Sequence, residues 1–198
     1  IMNVKTRTET DKEGMADEYE LHVIGELVGG EGFDCSNAFC AFAVEKTKNN
    51  ECVGGKESGQ TQVDYPDVGS RNFVWNHPID LHYFIKSLQS WPSVRFEVFA
   101  LDSTGGKVLC GYGTSFIPRT PGEHEIKCPI WRPAGTAKEE LYGYFLGSRP
   151  QLVDKDVIHK KSAGERFRLF TQAAGYVNMK LEILLRGKHA ASEKKKEV

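Results

Sequence analysis

Phe73-Val-Trp-Asn-His-Pro-Ile-Asp-Leu-His-Tyr-Phe84, followed by Val94-Arg-Phe-Glu-Val-Phe-Ala-Leu-Asp-Ser-Thr-Gly-Gly106, decides how this chain folds. In the second segment Val94, Phe96 and Val98 fall on one face and Arg95 and Glu97 on the other, the period-two signature of a half-buried strand. Asp102-Ser-Thr-Gly-Gly106 supplies turn residues, and another alternating run, Val108 to Ile117, follows at once, which predicts a hairpin. The first segment is aromatic and apolar, and Pro78 within it predicts a strand that is bent or at an edge. A sheet with one apolar face needs a second layer over it, so the chain reads as all-β, an antiparallel sandwich of about eight strands.

The composition sets the bounds. With 39% hydrophobic and 27% charged residues, 198 residues suffice for one domain with its own core. A formal net charge of -1 removes any global electrostatic argument for nucleic acid as a partner. No apolar run reaches the length of a membrane span. Ile1 to Gly14 is polar and charged, unlike a secretory signal. Cys35, Cys40, Cys52, Cys110 and Cys128 form an odd set without CxxC spacing, read as reduced thiols of a cytoplasmic protein.

Outward from the deciding stretch, residues 1–18 read as a disordered arm, 19–186 as the folded domain and 187–198 as a polar tail carrying Lys194-Lys-Lys196. Met15-Ala-Asp-Glu has the form of a native start, with residues 1–14 upstream of it. Tyr19 to Leu27 is a strand and Gly29-Gly-Glu-Gly32 a loop, without the spacing of a phosphate cradle. Ser36 to Val44, apolar on both faces, is expected to be central. Lys46 to Gly59 reads as a flexible connection, and Thr61-Gln-Val63 as a short strand. His124 to Cys128 is a strand closed by Pro129. Ala137 to Leu146 changes period, predicting a short amphipathic helix with Thr136 as N-cap and Gly147 as stop. Phe167 to Phe170 and Val177 to Ile183 are the last strands, the final one with Val177, Met179, Leu181 and Ile183 inward.

Candidate chemistry is sparse. Asp80 and His82 share a strand face, but Pro78 takes His77 out of register and no third ligand is indicated, so no metal site is expected. Cys35 or Cys40 with His124 has no local support as a nucleophile and base. Trp75, Trp91 and Trp131 are expected mainly in packing. No catalytic constellation and no cofactor motif is found, so the chain reads as a non-enzyme. Cys128-Pro-Ile-Trp-Arg-Pro133 and the helix after it combine Trp131 and Arg132 with Tyr142 and Tyr144, residue types that dominate interface hot spots. These four are the partner-binding candidates, the competing reading being that they cover an open end of the sandwich.

Trp75-Asn76, the strand Val94–Leu101, its Asp102–Gly106 loop and Gly111 resemble a C2 domain. More specifically, Leu21-His-Val-Ile-Gly25, Gly59-Gln-Thr-Gln-Val-Asp64, Trp75–His82, Leu88-Gln-Ser-Trp-Pro92, Gly111-Tyr-Gly113, Cys128–Pro133 and Pro150-Gln-Leu152 resemble the B9-domain family of the ciliary transition zone. The resemblance runs from about Leu21 to Arg186. It implies a C2-like sandwich with a structural role in the Meckel-syndrome, or tectonic-like, complex, bridging other B9-domain proteins in a membrane-diffusion barrier needed for ciliogenesis. The implied partners are the Meckel syndrome type 1 protein, B9 domain-containing protein 1 and transition-zone membrane proteins. The implied location is the cytoplasm at the transition zone and basal body. The alternative is a phospholipid-binding C2 module at the same membrane, with weak lipid contact. Calcium dependence is not expected: C2-type ligand positions fall here on Ala100, Asp102, Val108 and Asn37, with Asp34 nearby, whereas calcium takes about six to eight oxygen ligands.

Overall fold

The computed structural model describes residues 18–46, 50–86, 91–136, 138, 141–143, 150–153, 158 and 169–188. Among these, nine strands are formed: β1 (Glu18–Glu31), β2 (Phe39–Glu45), β3 (Asn50–Gly55), β4 (Ser58–Gln60), β5 (Asn72–Ile85), β6 (Ser93–Leu101), β7 (Lys107–Phe116), β8 (Gly122–Pro133) and β9 (Thr171–Lys188). Every pairing is antiparallel, in the order β3-β5-β1-β9-β8-β7-β6-β2-β4. Between β7 and β8 the only register pair is Tyr112 with Trp131. The array therefore curls into two layers, β3-β5-β1-β9-β8 facing β7-β6-β2-β4, with a seam at that pair.

Apolar alternation explains which side faces in. Leu21 and Val23 of β1, Leu81 and Tyr83 of β5, and Val177, Met179 and Ile183 of β9 point into one core with Cys40 of β2, Phe96 and Val98 of β6 and Cys110 of β7. Each such side chain contributes about 1.5–3 kcal/mol by leaving water. The Val177–Ile183 alternation and the β6–β7 hairpin are as the sequence reads.

Trp75 fastens the layers. Its indole is 1% exposed, and Nε1 donates to the Ala38 carbonyl just before β2, at 3.1 Å. Gln62 Nε2 donates to the Trp75 carbonyl at 2.6 Å. Trp75 and Asn76 together lie opposite Val28 of β1, where the register shifts between Leu27 and Gly29. Asn76 holds φ 44, a left-handed conformation that Asn tolerates better than most residues. Gly30 is required beneath this bulge, because a Cβ there would meet the Trp75 and Phe33 rings at 2.7 Å.

Several expectations are corrected. Gly29 to Glu31 continue β1, since Gly29 admits the close approach of the Phe73 backbone and Gly30 the Phe33 and Trp75 rings. The β2 strand is not central: only the three-residue β4 lies outside it. On its second face Phe39 stacks on Phe99 of the adjacent β6 at 5.6 Å, and Ala41 and Ala43 stay partly exposed. Lys46–Gly59 contains β3 and the first two residues of β4, and residues 61–63 form no strand. Pro129 does not end β8, which runs to Pro133 paired with β9; its missing N–H is tolerated on the sparsely bonded β7 side. Residues 169–170 precede β9 without joining a strand, and 167–168 lie outside the described residues. The β9 strand continues to Lys188, past the expected boundary at 186. Pro78 does lie on the open side of β5, because β3 pairs only with Leu81–Ile85. Helix is present at 138 and 141–143; the remainder of the expected Ala137–Leu146 helix lies outside the described residues.

Candidate interaction surface

At the β7–β8 seam a second, smaller apolar cluster forms outside the main core. Leu109, Tyr112 and Ile158 are each 1% exposed, with Phe99, Trp131 and Leu152 partly buried against them. The Trp131 and Tyr112 rings tilt together at 5.9 Å between centroids. The Leu152 backbone N–H reaches the Tyr112 hydroxyl at 3.4 Å. Burial pushes the Tyr112 phenol above its ordinary range, only partly offset by that bond. Leu152 and Ile158 thus cap the seam. Beside it, Arg132 Nη2 donates to Gln172 Oε1 of β9 at 2.8 Å.

The four partner-binding candidates therefore separate. Trp131 covers the seam with part of its surface still open, and Arg132 bridges β8 to β9. Tyr142 is 66% exposed, next to an exposed Leu141. Tyr144 lies outside the described residues. Trp131 is partly buried in a covering role, whereas Leu141 and Tyr142 are exposed.

The end of the sandwich bearing the C2-type ligand positions is occupied by its own bonds. Asn37 clamps Leu101 through both amide atoms, Nδ2 donating to the carbonyl at 3.0 Å and Oδ1 accepting from the backbone N–H at 2.6 Å. Asp102 Oδ1 accepts from the Thr104 N–H, the Thr104 hydroxyl and the Gly106 N–H at 2.7–2.8 Å. Led by the Thr104 hydroxyl, these bonds hold the Asp102 carboxyl below its ordinary value. Ala100 and Val108 offer no side-chain oxygen, and Asp34 faces Arg71 at 3.6 Å. This donor set does not fit calcium.

The remaining candidates also find places. Trp75 and Trp91 are buried, Trp91 donating to the Ile117 carbonyl at 2.7 Å. Cys40, Cys110 and Cys128 are buried, and burial pushes the Cys128 thiol up to about 11. His124 Nε2 lies 2.8 Å from the Thr120 carbonyl, held in its own turn. His77 meets Phe42 edge-on at 5.4 Å. His82 joins Glu20 and His22 of β1, with Asp80 opposite Ile24 one row along. This grouping depends on the β1–β5 register, for which no short-range signal exists in the sequence.

The architecture is that of an all-β, C2-like domain. A family model described as "Ciliary basal body-associated, B9 protein", B9-C2, matches residues 21–184. The chain belongs to this B9 family. It is 42% identical over 167 residues to human B9 domain-containing protein 2, covering 84% of this chain and 94% of that protein. The Drosophila melanogaster protein of the same name is 28% identical over 169 residues, covering 84% of this chain and 93% of its own. Human B9 domain-containing protein 1 is 26% identical, covering 83% of this chain and 80% of that protein. Among solved structures, a C2 domain of plant extended synaptotagmin 1 aligns with a TM-score of 0.46 and 12% identity, covering 86% of this chain and 95% of that domain.

Proposed function

We propose that the chain is a non-enzymatic structural subunit at the ciliary transition zone. It works in the Meckel-syndrome complex by bridging other B9-domain proteins, B9 domain-containing protein 1 and the Meckel syndrome type 1 protein, within the diffusion barrier needed for ciliogenesis. Membership of a basal body-associated family supports the setting. The observation that carries the bridging role is the seam: a half-open Trp131 on a satellite cluster, next to Arg132 and near in sequence to an exposed Leu141-Tyr142 pair. Trp, Tyr and Arg are the side chains that anchor protein interfaces most often. The alternative of a calcium-dependent lipid module has no support in the Asn37 and Asp102 bonding.

Pull-down with each sister B9-domain protein tests the reading. Trp131→Ala and Tyr142→Ala should each weaken capture while the variant stays folded. Full capture by both folded variants would move the interface elsewhere. Failure of the unaltered chain to capture either sister protein would remove the bridging role itself.

A further inference from the structure

The outer face of the five-stranded layer carries a constellation that the assembly role does not use. In the β1–β5 ladder His22 stands directly opposite His82, and Glu20, two residues before His22, projects from the same face. The imidazoles stack at 3.9 Å between centroids with 17° between their planes. Both Nε2 atoms approach one carboxylate oxygen, Glu20 Oε1, at 3.0 Å from His82 and 3.6 Å from His22. The shorter is a hydrogen bond, and the longer is beyond hydrogen-bond reach. The Phe84 ring lies edge-on to His82 at 5.5 Å and limits its rotation.

We propose that Glu20, His22 and His82 form a binding site for a transition-metal cation of the zinc type. Tetrahedral zinc with ligand bonds of about 2.0–2.1 Å needs its donor atoms about 3.4 Å apart. The two Glu20 distances bracket that value, and all three donor atoms lie within 4.8 Å of one another. Binding requires side-chain rotation that unstacks the two imidazoles, so that their in-plane nitrogen lone pairs converge on one point beside Glu20 Oε1. Two imidazoles and a carboxylate suit zinc rather than calcium or magnesium, which take oxygen ligands. The side chains are 19–37% exposed, so a cation reaches them from solvent and its fourth position stays open to water or to a ligand from another molecule.

The test uses the full chain without an affinity tag and cobalt(II) as a visible reporter. One equivalent should give the absorption of a tetrahedral site, displaced by zinc, without a thiolate charge-transfer band. His22→Gln and His82→Gln should each raise the dissociation constant at least about tenfold. Zinc should also perturb two of the six histidine rings by NMR in the unaltered chain, a readout independent of how the variants fold. Absence of micromolar binding, a thiolate band, perturbation of a different pair of rings, or undiminished affinity in folded variants would each overturn the proposal. The outcome is independent of sister-protein capture.

Discussion

Trp75 and Trp131 are the same side chain put to opposite uses. Trp75 is sealed between the layers, its N–H bound to Ala38, its carbonyl held by Gln62 and its ring set against Gly30. Trp131 lies on the outside, leaning on Tyr112 where two strands share a single register pair. The main core takes side chains from strands distant in sequence, so its loss separates the two layers. The seam cluster adds few fully buried side chains, so its loss should loosen the cap at Leu152 and Ile158 and leave the layers in place. Stability is concentrated at the first tryptophan, and the proposed recognition role falls to the second.

The largest effect should come from Trp75→Ala. Removing a fully buried Trp costs about 3–5 kcal/mol, and urea denaturation should show a midpoint far below that of the unaltered chain. A loss under about 1 kcal/mol would mean that the bulge does not anchor the layers. Gly30→Ala should come next, because its methyl would press on two aromatic rings; overpacking of this kind costs about 1–3 kcal/mol. Trp131→Ala should cost less than Trp75→Ala, about 1–2 kcal/mol for a half-buried ring. A cost equal to that of Trp75→Ala would erase the contrast.

Asp102→Asn probes the tip with pH as the variable. The folded carboxyl lies below its ordinary value of 3.8, so its contribution is full above that value and is lost as pH falls through the depressed folded one. Melting temperatures recorded downward from about pH 5 should therefore fall more steeply for the unaltered chain than for the variant. Parallel curves would show that the three bonds to Oδ1 do not favour the ionised form. Tyr142→Ala should change stability least, within about 0.5 kcal/mol. A larger loss would place the tyrosine in packing and take it out of the interface.

Sequence periodicity made much of this legible because its signals are local. Val94–Val98, the Asp102–Gly106 turn and Val177–Ile183 each carry their pattern within a few residues, and all three are formed. Long-range facts were not legible. Gly29 and Gly30 look like a loop until Trp75 is brought over them, and Pro129 looks like a stop until its unpaired side is known. At the candidate surface, residue type points to Trp131, Arg132 and Tyr142, but their different surroundings depend on where Leu152, Ile158 and β9 fall. Sequence spacing pairs His82 with Asp80 on one strand, whereas Glu20 and His22 come across a ladder from a strand far back in the chain.

The two ends of the strand array bear on solubility. An open row of antiparallel strands offers unpaired backbone groups at both margins, where another copy could add on and continue as a fibre. Here one margin is β3, six residues long with Gly54 and Gly55 at its end, and the other is β4, three residues containing Gly59. Such short, glycine-bearing margins are poor templates for runaway strand addition. A domain bounded this way offers its own copies little to pair with edge to edge, which leaves side chains on its faces as the surface open to contact at high local density.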